Sequence, residues 1–199
     1  MSILVATLTV SLLFLCRDRL RRVTQRYRPA GRLLADEELG LASLRLPPGW
    51  RATHGLNDGA CLQALHPLHG RHVIVISESL EDYALSVSLH EHAEVTRNLL
   101  TRGIRVMKIS GPDLRMVGGA NAVQFEIEGF HDNTWLKYLH TTVEGKRAFH
   151  QVIGWATQSR YSREVFEALL DGFAELPGPD PFRRPPPGLE IRQTSTRIH

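Results

Sequence analysis

The stretch His90-Glu91-His92-Ala93-Glu94 gathers two imidazoles and two carboxylates in a chain that carries ten histidines. Such a cluster suits a divalent metal only where its donors share a face. On a helix, positions i and i+2 point about 200° apart, so His90 and His92 face opposite ways; a helical zinc pair needs i and i+4. His90 with Glu94 has that spacing, but one imidazole and one carboxylate complete no ligand set, and the pair is expected on a solvated polar face. Cys16 and Cys61 form neither a CxxC pair nor a disulfide framework. Cys61 lies in a strand-like run, where a small buried side chain is expected. Gly118-Gly119 precedes strand-like sequence rather than a helix, so it reads as a hairpin and not as a phosphate cradle. No GxSxG elbow occurs. Trp50, Trp135 and Trp155 are expected to pack on a sheet, with a shared apolar groove as the functional alternative. The sequence thus designates no catalytic residue, no cofactor-binding residue, no metal ligand and no cofactor.

The elements that position these groups follow from periodicity. Leu41 to Leu46 alternates apolar with polar residues, Pro47-Pro48-Gly49 turns the chain, and Trp50 to His54 continues it. Cys61 to Leu65 and the β-branched run His72 to Ser77 read as strands separated by the turn-rich Pro67 to Gly70, the second strand central. Ser79 with Asp82 resembles a capping arrangement that opens a helix running to about Thr101. Leu85, Leu89, His92, Thr96 and Leu99 form its buried stripe, with Gly103 past its end. Arg105 to Ser110, Leu114 to Val117, Ala120 to Phe130, Trp135 to Glu144 and Arg147 to Trp155 then read as an antiparallel meander, turned at Gly118-Gly119, Asp132-Asn133 and Glu144-Gly145-Lys146. A final helix follows Ser159 to Ser162, with Val165, Leu169, Leu170 and Phe173 as its buried face. The expected class is α+β: an antiparallel β-sheet flanked by helices.

Charge divides the chain. Residues 17–32 hold seven Arg and one Asp, and residues 177–199 hold four Arg with Asp180 and Glu190, so the net charge of +3 leaves residues 33–176 at −5. An acidic domain is a poor match to a phosphate backbone, and no nucleic acid partner is expected. Residues 1–16 form an apolar membrane-anchor-like segment, followed by an Arg-rich juxtamembrane linker over 17–40, the α/β domain over 41–176, and a Pro-rich disordered tail over 177–199. Under the positive-inside rule the arginines after the apolar run favour a cytoplasmic domain, with the anchor in a bacterial inner membrane and a periplasmic domain as the alternative. Neither a cleaved signal nor lipidation of Cys16 fits Phe14-Leu15-Cys16.

Leu46-Pro47-Pro48-Gly49-Trp50, Ser79-Leu80-Glu81-Asp82-Tyr83-Ala84, Gly118-Gly119-Ala120-Asn121-Ala122 and Gln151-Val152-Ile153-Gly154-Trp155 occur in an order that resembles the PsbP-like superfamily, in its bacterial branch of DcrB-type and LpqN-type proteins. The resemblance covers about 41 to 175. It implies an α/β/α sandwich around an antiparallel sheet and a non-catalytic binding or assembly role, as in photosystem extrinsic subunits, envelope lipoproteins and Eag-type chaperones of secretion effectors. The expected function is therefore a membrane-associated protein-binding or assembly module with a protein partner. The alternatives are a cytoplasmic chaperone for secretion-system effectors, which requires an apolar groove, and an enzyme, which requires polar groups converging in a pocket.

Overall fold

The computed structural model describes residues 31–36, 38–83 and 87–178. The expected anchor over 1–16 and the tail from 179 onward lie outside them. Among the described residues ten strands and two α-helices follow in the order β1 (Arg32–Ala35), β2 (Ala42–Leu46), β3 (Arg51–Ala52), β4 (Leu62–His66), β5 (Arg71–Ser79), α1 (Leu89–Thr101), β6 (Arg105–Val117), β7 (Ala120–His131), β8 (Thr134–Glu144), β9 (Ala148–Thr157), α2 (Arg163–Leu170) and β10 (Phe173–Glu175). Seven strands form one sheet in the order β3-β4-β5-β9-β8-β7-β6, and β1-β2-β10 form a second. Every pairing is antiparallel. The class is α+β, as the expected order of strands, helix, meander and helix implies.

Strand alternation gives the large sheet two apolar faces. Ile74, Val123, Phe125, Ile127, Tyr138 and Ile153 face α1 through Ala93. The opposite face, with Val73, Val75, Leu139, Val143 and Val152, packs on α2 and on the small sheet through Leu44, Leu46, Phe166, Leu169 and Phe173. The second layer is therefore a helix and a small sheet together, not a helix alone. Gly154 of β9 makes that contact close, since a Cβ there would fall against the Phe166 ring.

Several boundaries differ from expectation. β1 lies inside the span expected as linker and pairs with β2, joining Arg32 to Leu46 and Ala35 to Ser43. The helix begins at Leu89, not near Ser79. Leu80–Asp82 forms only a 3-10 turn, and Ser88 caps α1 in a reciprocal box with Glu91. Its buried stripe runs through His92, Ala93 and Thr96, while Leu99 is exposed; Leu85 lies outside the described residues. Arg105–Val117 is one edge strand rather than two, because irregularities at Met107 and at Gly111-Pro112 absorb the extra residues. Phe173 opens β10 instead of ending α2. The hairpin turns fall where expected, with positive φ at Gly118, Gly119, Asp132 and Asn133.

Candidate functional site

Three places bring chemistry-bearing groups together. The first lies between β5 and the start of α1. Glu78 Oε2 accepts from the Tyr83 hydroxyl and stands 3.1 Å from His92 Nε2, while Gln151 Nε2 donates to Glu78 Oε1 at 2.6 Å. Phe149 stacks on the His92 ring with centroids 4.3 Å apart. The hydrogen bond from His92 holds the Glu78 carboxyl below its usual range despite burial, and Tyr83 supports the same shift. Burial and the adjoining carboxylate push the Tyr83 phenol well up. Further along the same sheet face lies His140, fully buried, with neither ring nitrogen in a well-formed hydrogen bond among the described residues. Burial lowers its pKa to about 4.

The second place spans the opposite core. Glu175 accepts from the backbone N–H groups of Lys146 and Arg147, both at 2.8 Å. Its Oε1 lies 3.5 Å from His150 Nε2, whose Nδ1 is 2.9 Å from Ser77 Oγ; Ser77 in turn contacts Cys61 Sγ at 3.4 Å. Serine, histidine and carboxylate in this order have the groups of a hydrolytic triad. Their presentation is wrong for one. His150 is fully buried, and Ser77 Oγ is held between the ring and the thiol. Glu175 lines a cavity of about 650 Å³ and Cys61 one of about 390 Å³, yet Ser77 and His150 line neither. Burial raises the Cys61 thiol above its usual pKa, opposite to an activated nucleophile. This chain of contacts ties the two sheets together rather than exposing a reactive atom.

The third place is β6, the long edge of the large sheet. Val106, Ile109, Leu114 and Met116 stand opposite Gly129, Ile127, Val123 and Asn121 of β7, so all four side chains project from the α1 side of the sheet. They are exposed, Leu114 at 80% and Met116 at 61%, and Met107 at the irregularity is exposed at 63%. The other face of the same strand carries Arg105, Lys108, Asp113 and Arg115, opposite Phe130, Glu128, Gln124 and Ala122. A long edge strand with one apolar face and open backbone groups is a template for another strand. The other edge of the sheet, β3, is two residues long and offers no such surface.

The residues singled out in the sequence are distributed elsewhere. His92 is buried and His90 exposed, as opposed faces of a helix require, and Glu94 pairs with Arg97 rather than with His90. Trp50 packs in the α2-side core, Trp155 stacks on His72 and Tyr138 on the α1 side, and Trp135, 43% exposed, stacks on Phe130 at the start of β8, so the three do not share one groove. Cys61 is half-buried at the rim of the smaller cavity and donates to Val75 O at 3.3 Å. No helix among the described residues is long and apolar enough to cross a membrane. The sequence reads the edge strand as two because Gly111-Pro112 splits its alternation, and the continuous apolar edge goes unread.

No protein family and no curated protein matches this sequence. Its fold is similar to that of LpqN, described as involved in cell envelope biogenesis of Mycobacterium tuberculosis, with a TM-score of 0.54 and 13% identity over 76% of this chain and 88% of LpqN. It is similar also to a protein from Bacteroides thetaiotaomicron VPI-5482, with a TM-score of 0.53 and 9% identity over 75% of this chain; this chain spans 50% of that protein. The fold is thus of the LpqN type, an antiparallel sheet flanked by helices.

Proposed function

We propose that this chain is a non-catalytic protein-binding or assembly module of the bacterial cell envelope, associated with the membrane through residues 1–16 and akin to the wider PsbP-like group. The observation that carries the reading is the uncovered apolar face of β6, where Val106, Ile109, Leu114 and Met116 are exposed, with Met107 exposed at the irregularity between them. Exposed apolar surface along a strand edge is costly to solubility and recurs where a protein partner docks. The fold similarity to LpqN, itself described by an envelope role, supports the compartment. In the two polar clusters Glu78 is taken by Tyr83, His92 and Gln151, and Ser77 and His150 by each other, which supports a binding role over catalysis.

The test is site-specific photocrosslinking in native membranes, with the photoreactive residue at position 114 or, as a control, at Leu68, equally exposed on the distant β4–β5 turn. A discrete protein adduct from position 114 and none from position 68 is the expected result. Identical adduct profiles from both positions, or none from 114, overturn the reading.

A further inference from the structure

We propose that the outer edge of β6 takes a partner strand of one definite chemistry: an extended segment that alternates apolar residues with acidic ones, with two carboxylates at i and i+2. This rests on the reading of β6 as a docking edge and adds what docks there. The inner edge of β6 already shows the pattern it pairs with. Lys108, Ile109 and Ser110 lie opposite Glu128, Ile127 and Glu126 of β7, an apolar residue between two acids. Those two carboxylates are occupied by Lys137, at 2.9 Å from Glu128 and 3.0 Å from Glu126. Among the described residues Lys108 is in no ion pair, and Arg105 meets only the Phe130 ring, 4.6 Å from its centroid. Both are exposed. Since Arg105 and Lys108 stand two positions apart in the register set by β7, carboxylates at i and i+2 on a strand laid along the outer edge face both. The apolar residues between them lie against Val106 and Ile109 and, further on, Leu114 and Met116.

The same charges disfavour a second copy of this chain. Antiparallel self-pairing about Gly111-Pro112 matches Ile109 to Leu114 and Val106 to Met116, but sets Lys108 against Arg115. Self-pairing about Ser110 sets Lys108 against Asp113 but Arg105 against Arg115, and about Asp113 it sets the two Asp113 side chains together. These are the registers that overlap most of the strand, and like charges directly opposite destabilise a pair. Asp113 is in any case engaged by Arg163 at 2.9 Å, and Arg115 by Glu167 at 3.1 Å.

The test uses the full chain in mild detergent and two fluorescein-labelled nine-residue peptides, one alternating valine with glutamate and the other valine with lysine. Fluorescence anisotropy should show the glutamate peptide binding at least about tenfold more tightly at low salt, with the preference reduced at high salt and reversed by Lys108→Glu with Arg105→Glu. Equal binding of both peptides, or a preference that survives the double substitution, overturns the chemistry while leaving β6 as an edge for strands of any composition. Binding of neither peptide overturns it too. Sedimentation showing a dimer that Leu114→Glu dissolves overturns it in favour of a second copy. Loss of the position 114 crosslink, by contrast, is a failure of the docking edge itself.

Discussion

Glu78 Oε2 lies 3.1 Å from His92 Nε2, joining the end of β5 to the first buried turn of α1. The same carboxylate takes the Tyr83 hydroxyl and the Gln151 amide. Three donors from three segments thus depend on one acceptor. Replacing it leaves His92, 3% exposed, with only the Tyr83 hydroxyl, 3.0 Å from its Nε2, and frees that hydroxyl from its acceptor. Glu78→Ala is expected to cost about 2 kcal/mol, more than Glu78→Gln, which keeps one acceptor. Urea unfolding of the three proteins side by side measures this; equal midpoints for Glu78→Ala and the parent would refute it.

Acid sensitivity should centre on His140. Its ring lies against Phe125 of β7 and beside Gln151 of β9, and it feels the cationic charge of His92 and Arg97 from α1. The unfolded chain binds a proton near pH 6.5, whereas the folded one does so only near pH 4. Stability is therefore full above pH 6.5 and is lost as the pH falls from 6.5 toward 4, by on the order of 3 kcal/mol at most. Burial moves His150 the same way, while Glu78 and Glu175, held below their usual range, add their losses only at lower pH. His140→Leu should flatten the unfolding midpoint between pH 6.5 and 4.5 and raise it most at the acid end. A parallel downward shift at every pH would show that the ring acts by packing alone.

Close approach of β9 to α2 makes Gly154 a packing position. Gly154→Ala drives a methyl group into Phe166, whose ring also meets Trp50 and Tyr161. The expected loss is about 1–3 kcal/mol. Phe166→Leu in the same chain should recover part of it, and a thermal melt of the single and double variants distinguishes that coupling from simple additivity.

Exposure makes the opposite forecast for β6. Leu114→Glu and Met116→Glu remove no buried contact, so each should stay within about 0.5 kcal/mol of the parent in denaturant. Both should nonetheless abolish the adduct formed at a neighbouring photoreactive Ile109. A large fall in stability would place these side chains in the folding core.

Much of the sheet was readable because its strands carry β-branched runs or apolar alternation and its turns carry residues that tolerate positive φ. His72 to Ser77, Ala120 to Phe130 and Trp135 to Glu144 fall within β5, β7 and β8. The N-terminal end of α1 was equally readable from Ser88 and Glu91, a capping box three residues apart, but Ser79 and Asp82 offered a rival spacing upstream. β1 escaped because Arg32-Leu33-Leu34-Ala35 shows too little alternation and adjoins an arginine cluster. β10 escaped because Phe173 is buried equally well as the end of a helix or the start of a strand. The polar clusters were invisible for a different reason. Glu78 meets His92 and Gln151, and Ser77 meets His150, through pairings set by sheet register and layer packing, which local spacing does not encode.

The small sheet has a consequence for how the chain is made. β2 emerges early, yet the strand that flanks it on one side is β10, and Ser43 meets Ala174 across 131 residues of sequence. Until Glu175 has cleared the ribosome, Leu44 and Leu46 have no Phe173 to pack against, and the α2-side core stays open. Synthesis of nearly the whole domain must therefore precede closure of its second layer, which leaves an interval in which an apolar surface is presented to whatever machinery attends the nascent chain.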